Sequence, residues 1–147
     1  MLNVVPYVAK NMIIKKMKTT GETGFVNVRV FTALGAIPVS DAQVFIYTWS
    51  KDDGHDLIRA AVTDKNGKAT LIELPVLLEQ GRPIEGRTEY HLIVKASGFH
   101  TVIIVNVEVY PKITNQFNVN LTPIPMGGDD KNEKITIPIK IKNNLRR

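Results

Sequence analysis

Through residues 24–125 hydrophobic and polar positions alternate with a period of two, in short β-branched runs separated by glycine, proline, asparagine and aspartate. Residues 25–31 place Val26, Val28 and Val30 on one face and Asn27 and Arg29 on the other. Residues 42–49 set Val44, Ile46 and Thr48 against Phe45, Tyr47 and Trp49, so this run has two apolar faces and is expected nearer the middle of a sheet. Tyr47 and Trp49 therefore read as core rather than as a sugar-stacking platform. Residues 57–63 form the next run. Asn66 and Gly67 then supply the positive-φ positions of a tight hairpin turn, and residues 69–74 return as a strand that Pro75 ends.

Residues 79–87 combine two glycines, a proline and four charges, and are expected as the longest exposed loop, with Arg82 and Arg87 on it. Residues 89–96 and 99–109 are strands turned about Ser97 and Gly98. Residues 116–121 alternate strictly, with Phe117, Val119 and Leu121 inward and Gln116, Asn118 and Asn120 outward. About seven strands with no convincing helix predict an all-β fold, an antiparallel Greek-key β-sandwich over residues 24–125.

Two β arms are expected outside that unit. In the N-terminal arm, residues 1–23, Val8, Met12 and Ile14 are candidate contact residues, and the pattern fits a helical stripe and an extended segment equally. Residues 126–133 read as a flexible polar linker. Beyond it, residues 134–147 hold a strand and a basic tail, with Ile135, Ile137, Ile139 and Ile141 on one face of the strand. Pro138 lacks an amide donor, so this is an edge strand or one added to another sheet. Its partner is either its own domain or a neighbouring copy, and in the second case the four isoleucines are the self-assembly residues.

Charge adds to this division. Of the net +5, residues 24–125 contribute −1, while residues 1–23 and residues 126–147 contribute +3 each. The basic arms could meet nucleic acid, an anionic wall polymer or another copy, but no recognition motif or aromatic interleaving supports nucleic acid. The absence of cysteine excludes disulfides, thiolate zinc sites and a cysteine nucleophile. No apolar run approaches the roughly 20 residues of a membrane-spanning helix, and the N-terminus lacks the pattern of a secretory signal.

The order Ala36-Ile-Pro-Val-Ser-Asp-Ala-Gln-Val44, Thr63-Asp-Lys-Asn-Gly-Lys-Ala69, Tyr90-His-Leu-Ile-Val-Lys-Ala-Ser-Gly-Phe99 and Asn118-Val-Asn-Leu-Thr-Pro-Ile-Pro125 resembles the carboxypeptidase regulatory-like family. That resemblance implies a transthyretin-like, prealbumin-type sandwich. The nearest variant is the domain found beside peptidoglycan hydrolases of spore-forming, clostridia-type bacteria. Phe99 stands where the family pattern has Tyr, and Ser40-Asp41 where it has a polar-Gly pair. Turn and core motifs of this kind speak for fold far more than for function.

Candidate chemistry is sparse. Ser40, Ser50 and Ser97 sit in no nucleophile elbow, and His55, His91 and His100 lack ligand spacing, although His91 and His100 could approach across the Ser97-Gly98 turn. Asp52, Asp53 and Asp56, or Asp64 with Asn66, could offer oxygens to calcium, but the same residues are what tight turns select. The C-terminal Asn144-Leu-Arg-Arg147 departs from the Tyr-Arg-Gly-Ser tail of purine-degrading enzymes with this fold. No catalytic residues, metal or cofactor are expected, and the chain is expected not to be an enzyme. The expected role is a structural subunit that assembles by strand addition into an oligomer or fibre on a spore or cell surface. The alternative is a wall-binding accessory module of a peptidoglycan hydrolase system.

Overall fold

In a computed structural model, residues 21–50, 54–76, 78–79, 82–83 and 90–137 are described. Expectations for Val8, Met12, Ile14, Arg87, Ile139 and Ile141 fall outside these residues, as do Asp52 and Asp53. The chain is all-β. Its strands are β1 (Thr23–Thr32), β2 (Ile37–Pro38), β3 (Gln43–Ser50), β4 (Gly54–Val62), β5 (Ile72–Pro75), β6 (Leu78–Glu79), β7 (Arg82–Pro83), β8 (Tyr90–Lys95), β9 (Val102–Val107), β10 (Thr114–Leu121) and β11 (Glu133–Thr136). Nine of them build two packed sheets where sequence periodicity suggested about seven, and β6 and β7 form a separate small hairpin. That hairpin occupies part of the stretch expected as a loop, and Arg82 pairs there with Glu79.

One sheet is β11-β9-β8-β3-β4 in order. The other runs β10-β1-β2, with β5 pairing the opposite end of β1 from β2. The alternating runs explain the core: Val26, Val28 and Val30 of β1 and Val44 and Ile46 of β3 are fully buried, as are Leu92 and Val94 of β8. Each of these strands turns every second residue inward, and the two inner faces interdigitate into one cluster.

Pairing is not purely antiparallel. β10 lies parallel to β1, with Asn27 opposite Gln116 and Phe31 opposite Asn120, and β11 lies parallel to β9. The second case follows from chain direction. β10 passes through the other sheet in the reverse sense, so the chain re-enters beside β9 running the same way. Two irregularities bend the five-stranded sheet. Register shifts between Ile46 and Tyr47 where β3 meets β4, and between Tyr90 and Leu92 where β8 meets β9. At the second, Asn106 takes a positive φ of 65°, the conformation a bulge residue adopts most readily as glycine or asparagine.

Two glycines are fixed by close approach. A Cβ on Gly24 would stand 2.2 Å from the Tyr110 carbonyl oxygen and 2.6 Å from Val109 Cγ1. Gly67, at φ 77°, sits in the turn after β4, but this turn does not close the expected hairpin: Lys68 and Ala69 go on to β1, and β5 joins the sheet of β1 instead of pairing with β4. A Cβ on Gly67 would meet the Val30 carbonyl oxygen at 2.4 Å. Between the sheets, the buried Tyr90 hydroxyl donates to the Pro75 carbonyl. Burial pushes this phenol well above its ordinary pKa, so it stays a donor. Burial also lowers the pKa of Arg59, on the edge strand β4, against the raising effect of the Glu73 carboxylate.

Candidate functional site

Because Val26, Val28 and Val30 point inward, the odd-numbered side chains of β1 lie on the outer face of the smaller sheet. The parallel register with β10 brings Gln116, Asn118 and Asn120, all exposed, onto the same face. Asn27 Nδ2 donates to Gln116 Oε1 at 2.8 Å, and Gln116 Nε2 donates to Asn118 Oδ1 at 3.1 Å. Asn120 Oδ1 accepts from the Gly35 amide at 3.1 Å. Beside this amide row the Arg29 guanidinium stands over the Phe31 ring, 5.4 Å from its centroid. Across an isolated bridge Arg29 faces Lys68. Two cations thus sit in register. Neither forms an ion pair with a carboxylate among the described residues, although Lys68 lies close enough to the Asp64 carboxylate to help lower its pKa.

The outer face of the five-stranded sheet has the opposite character. Phe45 of β3 pairs with Ile93 of β8, which pairs with Ile103 of β9, giving an apolar row across three strands that Ala60 extends onto β4. Tyr47 pairs with Leu57, and Gln43 with Val62, so further apolar groups flank the row. Phe45 and Tyr47 contact each other at 6.5 Å between ring centroids. Except for Ala60, these side chains are half-buried, and none packs against the core cluster. Tyr47, expected in the core, therefore faces outward. Both faces of β3 are apolar, as the sequence indicates, but no described element covers the outer one.

The terminal strand belongs to its own sheet where it is described. Ile135 stands opposite Ile104 of β9 and remains 49% exposed, while Ile137 packs partly against the core. The pairing that the sequence leaves open between the chain and a neighbour is therefore closed within the chain over Glu133–Thr136. Residues 126–133, expected as a flexible linker, are tied down on the way. Thr101 donates to Asp130 through its amide, at 2.8 Å, and its hydroxyl, at 2.6 Å. The Lys131 amide donates to His100 Nδ1 at 2.9 Å, and the Glu133 amide to the Thr101 carbonyl at 2.8 Å. At the far end the bulged Asn106 carboxamide donates to the Ile137 carbonyl at 3.0 Å. Short polar residues that composition marks as a linker act here as a clasp.

That clasp has a pH limit. The Thr101 hydroxyl, and then its amide, hold the Asp130 carboxyl below the ordinary carboxylate range. A carboxylate whose folded pKa is depressed stabilises above its unfolded value and loses that contribution as pH falls through the folded one. The contacts between Asp130 and Thr101 are expected intact from neutral pH down to about pH 4, the ordinary carboxylate range, and to release below it. Amide hydrogen exchange should then rise at Thr101 and Glu133 before it rises in β8. In Asp130→Asn those two amides should exchange faster at neutral pH and lose this acid step.

The histidines do not meet: His91 pairs with Tyr47 at one end of β8, and His100 lies past the turn at the other. Asp64 is engaged by its own turn, its Oδ1 accepting from the amides of Asn66 at 2.8 Å and Lys68 at 3.0 Å. No three His, Asp or Glu side chains converge to hold a metal ion among the described residues. No described helix is long and apolar enough to cross a membrane. The polar face was hidden from sequence reasoning because its two halves lie 89 residues apart. Only the outward alternation of Asn27 and Arg29, and of Gln116, Asn118 and Asn120, signalled it.

No family model matches the chain, and no curated protein matches it by sequence. Among solved structures it is similar to a mercury-inhibited catechol 1,2-dioxygenase from Acinetobacter sp. ADP1, at 15% identity and TM-score 0.52, covering 85% of this chain and 61% of that one. It is also similar to the catechol 1,2-dioxygenase of Pseudomonas arvilla C-1, at 14% identity and TM-score 0.51 over 80% of this chain and 58% of that one. For the 3-chlorocatechol 1,2-dioxygenase of Rhodococcus opacus 1CP the figures are 13%, 0.53, 76% and 64%. The chain spans about three-fifths of the length of these enzymes. At such identities the likeness is one of fold. It overturns the expectation that the chain is not an enzyme, because the sandwich it forms is one that enzymes use and motif-poor sequence is no argument against catalysis on it.

Proposed function

We propose that the chain is a self-associating β-sandwich subunit of an oligomer or fibre at a spore or cell surface. The observation that carries this reading is the apolar row Phe45, Ile93 and Ile103 on the outer face of the five-stranded sheet, flanked by Tyr47, Leu57 and Val62. A face of this kind is unfavourable in water, and every copy presents the same one, so a two-fold pairing covers both at once and gives a dimer, with a second and different contact needed to extend it into a fibre. Gln43, Lys95 and Lys134 give it the polar rim of a specific interface. The surface location is supported by the resemblance to transthyretin-like domains beside peptidoglycan hydrolases.

Strand addition, the route expected from the isoleucine pattern, is taken up within the chain over Glu133–Thr136. Face-to-face packing is the route the geometry favours instead. The polar outer face of the smaller sheet favours a second reading, a wall-binding accessory module, and the two are compatible because they use opposite faces. To test association, the mass of the full chain is measured in solution by light scattering, beside Phe45→Asp and Ile93→Asp. The expected result is an oligomer that both variants reduce to folded monomers with little change in circular dichroism. A monomeric parent, or variants of unchanged mass, would end the assembly reading.

A further inference from the structure

We infer that the outer face of the smaller sheet is a binding site for a carboxylated polysaccharide, read by Asn27, Gln116, Asn118 and Asn120 with Arg29 and Lys68. This deepens the wall-binding reading and rests on it. A sugar hydroxyl is both donor and acceptor, and its match on a protein is a carboxamide, which offers both within one planar group. The amides here are oriented in series: Asn27 donates to Gln116 and Gln116 to Asn118. That order leaves an acceptor at the Asn27 end and a donor at the Asn118 end with no partner among the described residues. Asn120, its oxygen held by the Gly35 amide, presents its own NH2 group one step further along the strand. Alternate residues of a strand repeat every ~7 Å, so the row suits an extended chain of sugar rings better than a compact ligand.

The charge pattern selects the class of sugar. Arg29 and Lys68 are direct cross-strand neighbours, and like charges so placed repel unless an anion lies between them. Glu73 shares the outer face, but it stands opposite Phe25 and its Oε2 accepts from the Thr23 hydroxyl at 2.6 Å. Phe31 beneath the guanidinium holds it in place, which lowers the entropy cost of clamping a carboxylate. A neutral glycan would leave the two cations unanswered. A polyanion without ring hydroxyls would leave the amides unused.

The test measures binding of the full chain to polygalacturonate by calorimetry. Uncharged methylcellulose and a double-stranded DNA oligomer serve as comparisons, and insoluble peptidoglycan is used in a separate sedimentation assay. Binding is expected for polygalacturonate and not for methylcellulose. Asn118→Ala with Asn120→Ala is expected to weaken it about tenfold or more, and Arg29→Gln similarly, with melting temperatures close to the parent because all three side chains lie on the outer face. No binding by the parent, binding unchanged in the variants, or equal binding to DNA would overturn the site. Peptidoglycan sedimentation that ignores these substitutions would overturn the site too, while leaving the wall-binding reading standing. Absence of sedimentation by the parent would remove that reading itself.

Discussion

Leu92→Ala is expected to cost about 2–5 kcal/mol of stability. Leu92 is fully buried on β8, the middle strand of the five-stranded sheet, between Ile46 of β3 and Ile104 of β9. All three point into the seam between the sheets, where packing is dense and neighbouring strands are pinned by their ladders. The site therefore collapses poorly around a missing side chain, and most of the cavity cost remains. In a thermal melt the midpoint should fall by roughly 10–20 °C, by the usual conversion of free energy to melting temperature. The adjacent residue gives the contrast. Ile93 points to the outer face, so Ile93→Ala should leave the melting midpoint of the isolated sandwich within about 2 °C of its parent while weakening association. If Ile93→Ala destabilised a monomer as much as Leu92→Ala, the outer face would be part of the core and the division of the sheet into two faces would be wrong.

That alternation is what made most of the fold legible. A period of two assigns each side chain to a face, so Val26, Val28 and Val30, or Val44 and Ile46, could be placed in the core from spacing alone. The turn at Asn66 and Gly67 was equally legible, because few residues tolerate the positive φ of Gly67, but its passage from one sheet to the other in place of a hairpin was not. Alternation is silent about which strand lies next to which. Nothing near Asn27 says that Gln116 will stand beside it, and so the amide row, the strongest candidate for ligand recognition, appears only once β1 and β10 are placed in parallel register. The partner of the terminal strand stays open in the sequence for a related reason. Its isoleucines announce that something must cover them, but the choice of β9 is made by Asp130, His100 and Asn106, whose contacts are long-range and leave no periodic trace. The bulge opposite Ile46 is likewise set by pairing, and it brings Arg59 into register with that buried residue.

Thr63→Val should be nearly as costly as a core truncation, although it preserves side-chain shape and removes no packing volume. Thr63 is 3% exposed at the end of β4. Its hydroxyl donates to the Val39 carbonyl at 2.7 Å and accepts from the Ala42 amide at 2.9 Å, so one oxygen satisfies both ends of the 39–42 connection into β3. Valine would leave a buried donor and a buried acceptor without that partner, each at about 1–3 kcal/mol, for a loss of about 2–4 kcal/mol in all. Thr63→Ser keeps the hydroxyl and loses only a methyl group, so it should cost about 1 kcal/mol. Thr48→Val is the control. Thr48 is fully buried on β3, but its Oγ1 has no hydrogen-bond partner among the described residues, so the same exchange there should be neutral or stabilising. Chemical denaturation of the three variants measures these differences directly. Equal losses for Thr63→Val and Thr48→Val would mean that burial alone, and not the bridging hydroxyl, explains why threonine precedes the Asp64 turn.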